Sequence, residues 1–364
     1  MATQNSILPF KATHPGILIK DELDARKDLN QKDLAKELGF HPSFLNEIVK
    51  GKRPVTADIA VLLEKVLEIP ADYWMKFQSQ YEIDKARIKE KNIARLKNIE
   101  LWKVIKEYVP VNYFKKLGYL EENLSKDINT IKRIYNVKNV DDLVTVFAKN
   151  KFAFYRKSEK LQVNDKNMFA WNSLAIFEAK NKNVNTFNFE NLGQLCIRLN
   201  KIFFENENTI EKVKSTLSQF GIKLVFIQKL EKTPVDGFSF WSENNPAIAL
   251  TLRHGRIDNF AFTLMHEIAH IGLHLRNNKE KSFLDLTKKG KVDSFEQEAD
   301  AFAQDSLISK DCWRNIINNY CPLNDDKIVE IGNKYGIHPA ILLGRVCFEM
   351  DYYALKTNID KKLK

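Results

Sequence analysis

The chain has 364 residues, 44% of them hydrophobic and 29% charged, which is ample material for two or three cores. No apolar run approaches the ~20 residues of a membrane span and the chain opens on no signal-peptide pattern, so a cytoplasmic protein without membrane contact is expected. Cys196, Cys312, Cys321 and Cys347 are widely spaced with no Cys-x-x-Cys pair, which argues against a disulfide framework or a zinc ribbon, and the formal net charge of +10 has to be located along the chain before it implies a partner.

The first elements are helical. Residues 31–38 read as a helix stopped by Gly39, and residues 42–48 as a second helix ending near Gly51. That is helix-turn-helix spacing. A further helix runs from about residue 57 to Leu67 with Thr56 as its N-cap, and Leu34, Leu38, Leu45, Ile48, Leu62 and Leu63 are the expected core. The stretch from His14-Pro15-Gly16 to Tyr81 resembles the HigA-type antitoxin branch of Xre-like helix-turn-helix domains. The likeness is carried by Gln31-Lys32-Asp33-Leu34-Ala35, Gly51-Lys52-Arg53 and Ala57-Asp58-Ile59-Ala60, while Ile17 stands where the family usually has Glu. It implies that Ser43, Phe44, Asn46 and Glu47 face the major groove of operator DNA, with Gln31, Lys50, Lys52 and Arg53 on phosphates. It also implies a homodimer on two half-sites.

Charge does not concentrate in that head, where 11 Lys and Arg meet 11 Asp and Glu over residues 1–80. Residues 81–182 hold 22 against 13, with the basic residues densest between Lys85 and Lys106. A solvated charged helical connector is expected over 81–150, with a path along DNA as the other reading.

Farther on, residues 223–227 after Gly221 and 247–252 after Pro246 read as strands of a small sheet. The second is either a core strand or an edge that pairs with an extended peptide. Then comes His266-Glu267-Ile268-Ala269-His270. Imidazoles at i and i+4 lie one helical turn apart and can reach one cation, with a carboxylate beside them to act as general base. Phe260, Phe262, Leu264, Met265, Ile268, Ala269 and Leu273 surround the pair with apolar positions, as in a buried helix. A second acidic helix over 295–303 supplies Glu296 and Asp300 on one face, so that one carboxylate can bind the metal and the other orient a ligand imidazole. His274 has rotated by roughly 80° from His266 on an ideal helix and is expected to flank the site or cap the helix. His254, just before the helix, is a candidate to stabilise an oxyanion.

The segment from about 150 to 310 resembles the ImmA/IrrE family of zinc metallopeptidases. The ordered motifs are Phe154-Tyr155-Arg156-Lys157-Ser158, Val235-Asp236-Gly237 before Trp241, the run from Phe260 to His274, and that from Glu296 to Ala303. The resemblance implies Zn2+ held by His266, His270 and Glu296, Glu267 as catalytic base, and Asp300 behind a ligand. Glu298 also precedes an Ala-Asp pair and stays open as the third ligand. The whole is expected to be multidomain: an all-α helix-turn-helix head (1–80), the connector (81–150), an α+β zincin-like metallopeptidase core with a small sheet (151–310) and a C-terminal helical region (311–364). In that last region two helices break at Gly336-Ile337-His338-Pro339, with His338 and Arg345 as candidate substrate contacts. Two functions fit: a DNA-binding regulator whose zinc endopeptidase cleaves a repressor, a toxin-system partner or another copy of itself, or a HigA-like antitoxin or transcription factor with a non-catalytic sensor.

Overall fold

The computed structural model describes residues 11–26, 28–155, 164–252, 255–279, 282–286, 294–320, 323–351 and 356–364. It divides into two compact units, Met1–Leu101 and Trp102–Lys364. No helix among the described residues is long and apolar enough to cross a membrane.

The first unit is built of α1 (Gly16–Ala25), α2 (Gln31–Glu37), α3 (Pro42–Val49), α4 (Ala57–Leu67), α5 (Ala71–Arg87) and the first part of α6 (Glu90–Tyr108). Local chemistry sets the ends of the reading pair. Asn30 accepts from the amides of Lys32 and Asp33 at 2.9 and 3.1 Å, and Gly39 at φ +71° takes the left-handed position that ends α2. Pro42 opens α3, and Thr56 caps α4 through the Ile59 amide. Leu34, Leu38, Leu45, Ile48 and Leu63 form a core closed by the fully buried Trp74. Leu62 is not part of it: it is 39% exposed, because successive residues on a helix point about 100° apart and Leu63 takes the inward place.

The second unit starts with helices. Ile105 and Val109 are buried at the end of α6, followed by α7 (Val111–Lys116), α8 (Leu124–Ile134) and α9 (Asp142–Tyr155). The stretch expected to be a charged connector is therefore helical, and its later half carries buried Phe114, Ile128, Ile131 and Leu143. Next come α10 (Asp165–Lys180), α11 (Leu192–Glu205) and α12 (Thr209–Gln219), then β1 (Lys223–Phe226), β2 (Val235–Ser242) and β3 (Asn245–Leu250). After these the chain forms α13 (Ile257–Ala269), a π-helical turn (His270–Leu275), β4 (Ser282–Leu286), α14 (Ser294–Leu307), α15 (Lys310–Tyr320), α16 (Asp325–Tyr335) and α17 (Pro339–Glu349). Gly336 and the His338 cap separate the last two where the sequence breaks.

The sheet runs β1-β3-β2-β4, with β1 parallel to β3 and the other pairs antiparallel. Of the two readings of 247–252, a core strand or an edge, this order selects the core strand. β3 is bonded on both sides, and the strand beyond β2 is β4. Side chains alternate across β2. Phe238 and Phe240 stack on each other at 4.5 Å, and Phe238 lies 6.3 Å from Trp171 of α10. Gly237 and Ser239 meet α13 on the opposite face. The C-terminal residues pin the start of α13: the Ile257 amide donates to the Lys361 carbonyl and the Leu363 amide to the Gly255 carbonyl, both at 2.9 Å. Cys196, Cys312 and Cys347 are free, and burial pushes the Cys196 thiol up to about 11; Cys321 lies outside the described residues.

Candidate metal centre

α13 crosses the sheet with its apolar residues inward, and Leu264, Met265, Ile268 and Ala269 are fully buried around His266 and Glu267. The same burial carries polar groups that need partners. His266 Nε2 and His270 Nε2 are 3.0 Å apart, while Glu296 on α14 places its carboxylate oxygens 3.4 Å from the first and 3.8 Å from the second. Four ligands at zinc bond lengths of 2.0–2.2 Å are separated by about 3.3 Å in a tetrahedron, so this buried donor set fits one zinc ion. Three described residues supply it, which leaves the fourth direction for water or substrate.

The outer partners explain how both rings present Nε2. Asp300 Oδ1 accepts from His266 Nδ1 at 2.8 Å. His270 Nδ1 meets His274 Nδ1 at 2.9 Å, and His274 Nε2 meets Glu298 Oε2 at 3.2 Å. With His270 Nε2 given to a cation, its proton sits on Nδ1 and donates to His274, whose own proton then sits on Nε2 and donates to Glu298. Each of the two histidines thus backs onto a carboxylate, one directly and one through a second imidazole. His274 reaches this place because the helix widens into the π turn at His270, so the rotation of an ideal α-helix no longer applies. Asp300→Asn should weaken zinc binding about 10–100-fold, because an amide no longer anchors the His266 tautomer. Competition with a zinc chelator measures this, and unaltered affinity would remove Asp300 from the site.

Glu267 is fully buried beside these donors. The Ser239 hydroxyl lies 2.9 Å from the Glu267 main-chain carbonyl and donates to its carboxylate, tying β2 to α13. A Cβ on Gly237 would overlap the Glu267 carboxyl group, so the glycine is what lets the strand pass this close. Phe283 of β4 stacks on the His270 ring at 4.6 Å with 13° between planes.

In the first unit the residues expected to contact DNA lie at the start of α2, along α3 and in the turn after it. Ser43, Lys50, Lys52 and Arg53 are exposed, and Gln31, Phe44, Asn46 and Glu47 are half-buried. Arg53 is already engaged: it pairs with Glu47 and lies 5.1 Å from the centroid of Phe44. Its guanidinium holds the Glu47 carboxyl below the usual carboxylate range. Phe44 also packs against the core and against Phe40 at 4.9 Å, so what remains of the expected reading surface is Ser43 and Asn46 flanked by lysines.

A helix-turn-helix family model matches residues 19–74, and a model of the IrrE N-terminal-like domain matches residues 217–345. The chain thus carries a helix-turn-helix domain followed by an IrrE N-terminal-like domain. Its similarity to Virulence-associated protein I of Dichelobacter nodosus is 34% identity over 82 residues, which is 22% of this chain and 76% of that protein. To the uncharacterized HTH-type transcriptional regulator YbaQ of Escherichia coli K12 it is 24% identical over 92 residues, covering 24% of this chain and 81% of that protein. Among solved structures, Pseudomonas aeruginosa antitoxin HigA with the higBA promoter is 31% identical, covering 25% of this chain and 92% of that one with a TM-score of 0.22. An addiction module antidote protein of the HigA family from Coxiella burnetii is 26% identical over 27% of this chain and 96% of its own, with a TM-score of 0.21.

Within the IrrE-like unit the structure gathers His266, Glu267, His270, Glu296 and Asp300. Glu298, the other choice for third donor, is exposed and turns to His274 instead. His254 lies outside the described residues, as do Arg156, Lys157 and Ser158 of the early motif. Sequence reasoning missed Ser239, Phe283 and the link from His274 to Glu298. Only the quoted Val235-Asp236-Gly237 motif pointed toward the strand that carries Ser239.

Proposed function

We propose that this chain is a DNA-bound transcriptional regulator whose IrrE-like unit is a zinc-dependent endopeptidase, cleaving a repressor, a toxin-system partner or another copy of itself. The observation that carries this reading is the convergence of His266, His270 and Glu296 on one buried point with Glu267 beside it. Zinc held there would polarise a carbonyl and acidify nearby water. Glu267 takes the proton from the attacking water and passes it to the leaving amine. Ser239 fixes the carboxylate for both transfers, and Asp300 and His274 hold the ligand rings in their tautomers. β4 ends the sheet among the described residues, and a peptide added to its outer edge would run past Phe283 and His270. The head brings this chemistry to an operator in the cytoplasm, as a homodimer on paired half-sites.

Elemental analysis of purified protein is the direct test. About one zinc per chain is expected in the wild type, and loss of zinc from both His266→Ala and Glu296→Ala. Protein that stays metal-free after reconstitution would sink the peptidase reading and leave a HigA-like regulator with a sensor unit.

The head is tested separately by a mobility shift on the promoter of its own gene. The Asn46→Ala, Arg53→Ala double variant should bind at least ~10-fold more weakly, since it removes a groove-facing amide together with a cation beside the phosphates. Absence of any shift by the intact protein at modest salt would argue for a protein-binding head.

A further inference from the structure

A cavity of about 440 Å³ lies among α13, α14 and α17, and one of its lining residues is Asp300, the carboxylate that holds His266. Its size falls in the range of small-molecule sites. Phe262, Leu307, Ile341 and Phe348 give it apolar walls.

The polar part is Arg345. Its Nη2 pairs with Glu349 at 2.6 Å, and its guanidinium carbon lies 5.5 Å from the centroid of the Trp313 ring. Nε and Nη1 are buried and have no hydrogen-bond partner among the described residues. Charged donors out of water without an acceptor are costly, and turning the fork from between Trp313 and Phe348 into the cavity, toward an anion held there, relieves that cost. The neighbouring charges do not answer it. Asp258 is taken by Arg256 through two contacts, Asp300 faces His266, and Lys361 adds further positive charge to the lining.

The geometry points to a binding site for a small organic anion, with a carboxylate or phosphate head on Arg345 and an apolar body against Phe262, Leu307 and Ile341. The ligand acts as an effector. Asp300 belongs both to the cavity wall and to the His266 hydrogen bond, so an occupant that moves Asp300 alters how firmly His266 holds a metal. The binding step stands by itself; the coupling step rests on the zinc reading above.

Thermal unfolding of the full chain, as purified and stripped with chelator, would be followed against octanoate, octyl phosphate and neutral octanol. The expected result is a saturable rise in Tm with one or both anions, at least ~10-fold tighter than with octanol. Whichever anion binds more tightly identifies the head group. Arg345→Met should weaken anion binding at least ~10-fold. Gly344→Leu, which adds helix-favouring bulk at the cavity wall and keeps Arg345, should block it even if the first variant folds poorly. Equal binding of octanol and octanoate, binding unchanged in both variants, or no saturable shift would overturn the site. Zinc release into chelator should change with octanoate or octyl phosphate in the wild type and not in Asp300→Asn. Anion binding with no change in wild-type zinc release would overturn the coupling. If the chain holds no zinc, Arg345-dependent binding to the stripped protein still decides the site.

Discussion

Glu267→Gln is expected to retain zinc at the wild-type level while losing proteolysis by about three orders of magnitude, the scale of general acid–base catalysis. Glutamine keeps the shape of the side chain and can still accept from the Ser239 hydroxyl, so the surroundings of α13 stay filled. What it loses is the ability to take a proton from water. The substrate need not be known in advance. Mass spectrometry of protein N-termini from cells with wild-type or variant chain should reveal termini that depend on Glu267. A variant that generates the same termini as the wild type would end the peptidase assignment, whatever its metal content.

Gly237→Ala should be nearly as damaging to activity from one added methyl group. Its Cβ would fall on the Glu267 carboxyl group, and the ladder bonds of β2 to β3 and β4 on either side leave the strand little freedom to retreat. The carboxylate must turn away or the strand must shift. Overpacking of this kind costs about 1–3 kcal/mol of stability, and displacement of the base by about an ångström costs about 100-fold in rate. Zinc content should remain near the wild-type value, which separates a displaced base from a dismantled site. Gly193→Ala is the control, because an added Cβ there meets nothing within 4 Å. Full activity in Gly237→Ala would show that Glu267 does not need the position in which β2 holds it.

The sequence spoke most clearly where local chemistry is self-contained. The ends of the reading helices follow from Gly39, Pro42 and Thr56, each of which acts within a few residues of itself. The pairing of His266 with His270, and of Glu296 with Asp300, follows from one-turn spacing on a helix. Features that depend on a second element were harder to read. β2 carries Gly237 and Ser239, neither of them a strand-favouring residue, because the face toward α13 must make room for a carboxylate and bond it. Its other face holds Phe238 and Phe240, so the alternation is real but serves two different neighbours. β3 looked eligible as an edge because nothing in its own residues announces β2 and β1 on both sides. His274 is expected from the sequence to flank the site or cap the helix and does lie beside His270, but within a π turn whose bond to His270 a regular helix does not predict. Leu62 and Leu273 show the limit of apolar identity as a guide to the interior, since both are more than a third exposed.

The donors of the metal centre come from two helices that are distant in sequence, α13 and α14, with β4 between them in the chain. A cation bridging His270 and Glu296 is therefore a cross-link as well as a reagent, closing a loop that the unfolded chain would have to keep open. On the proposed reading, metal supply would then set how long the second unit survives in the cell as well as how fast it cuts. Loss of that cross-link would loosen the second unit alone, since the first has its own core around Trp74.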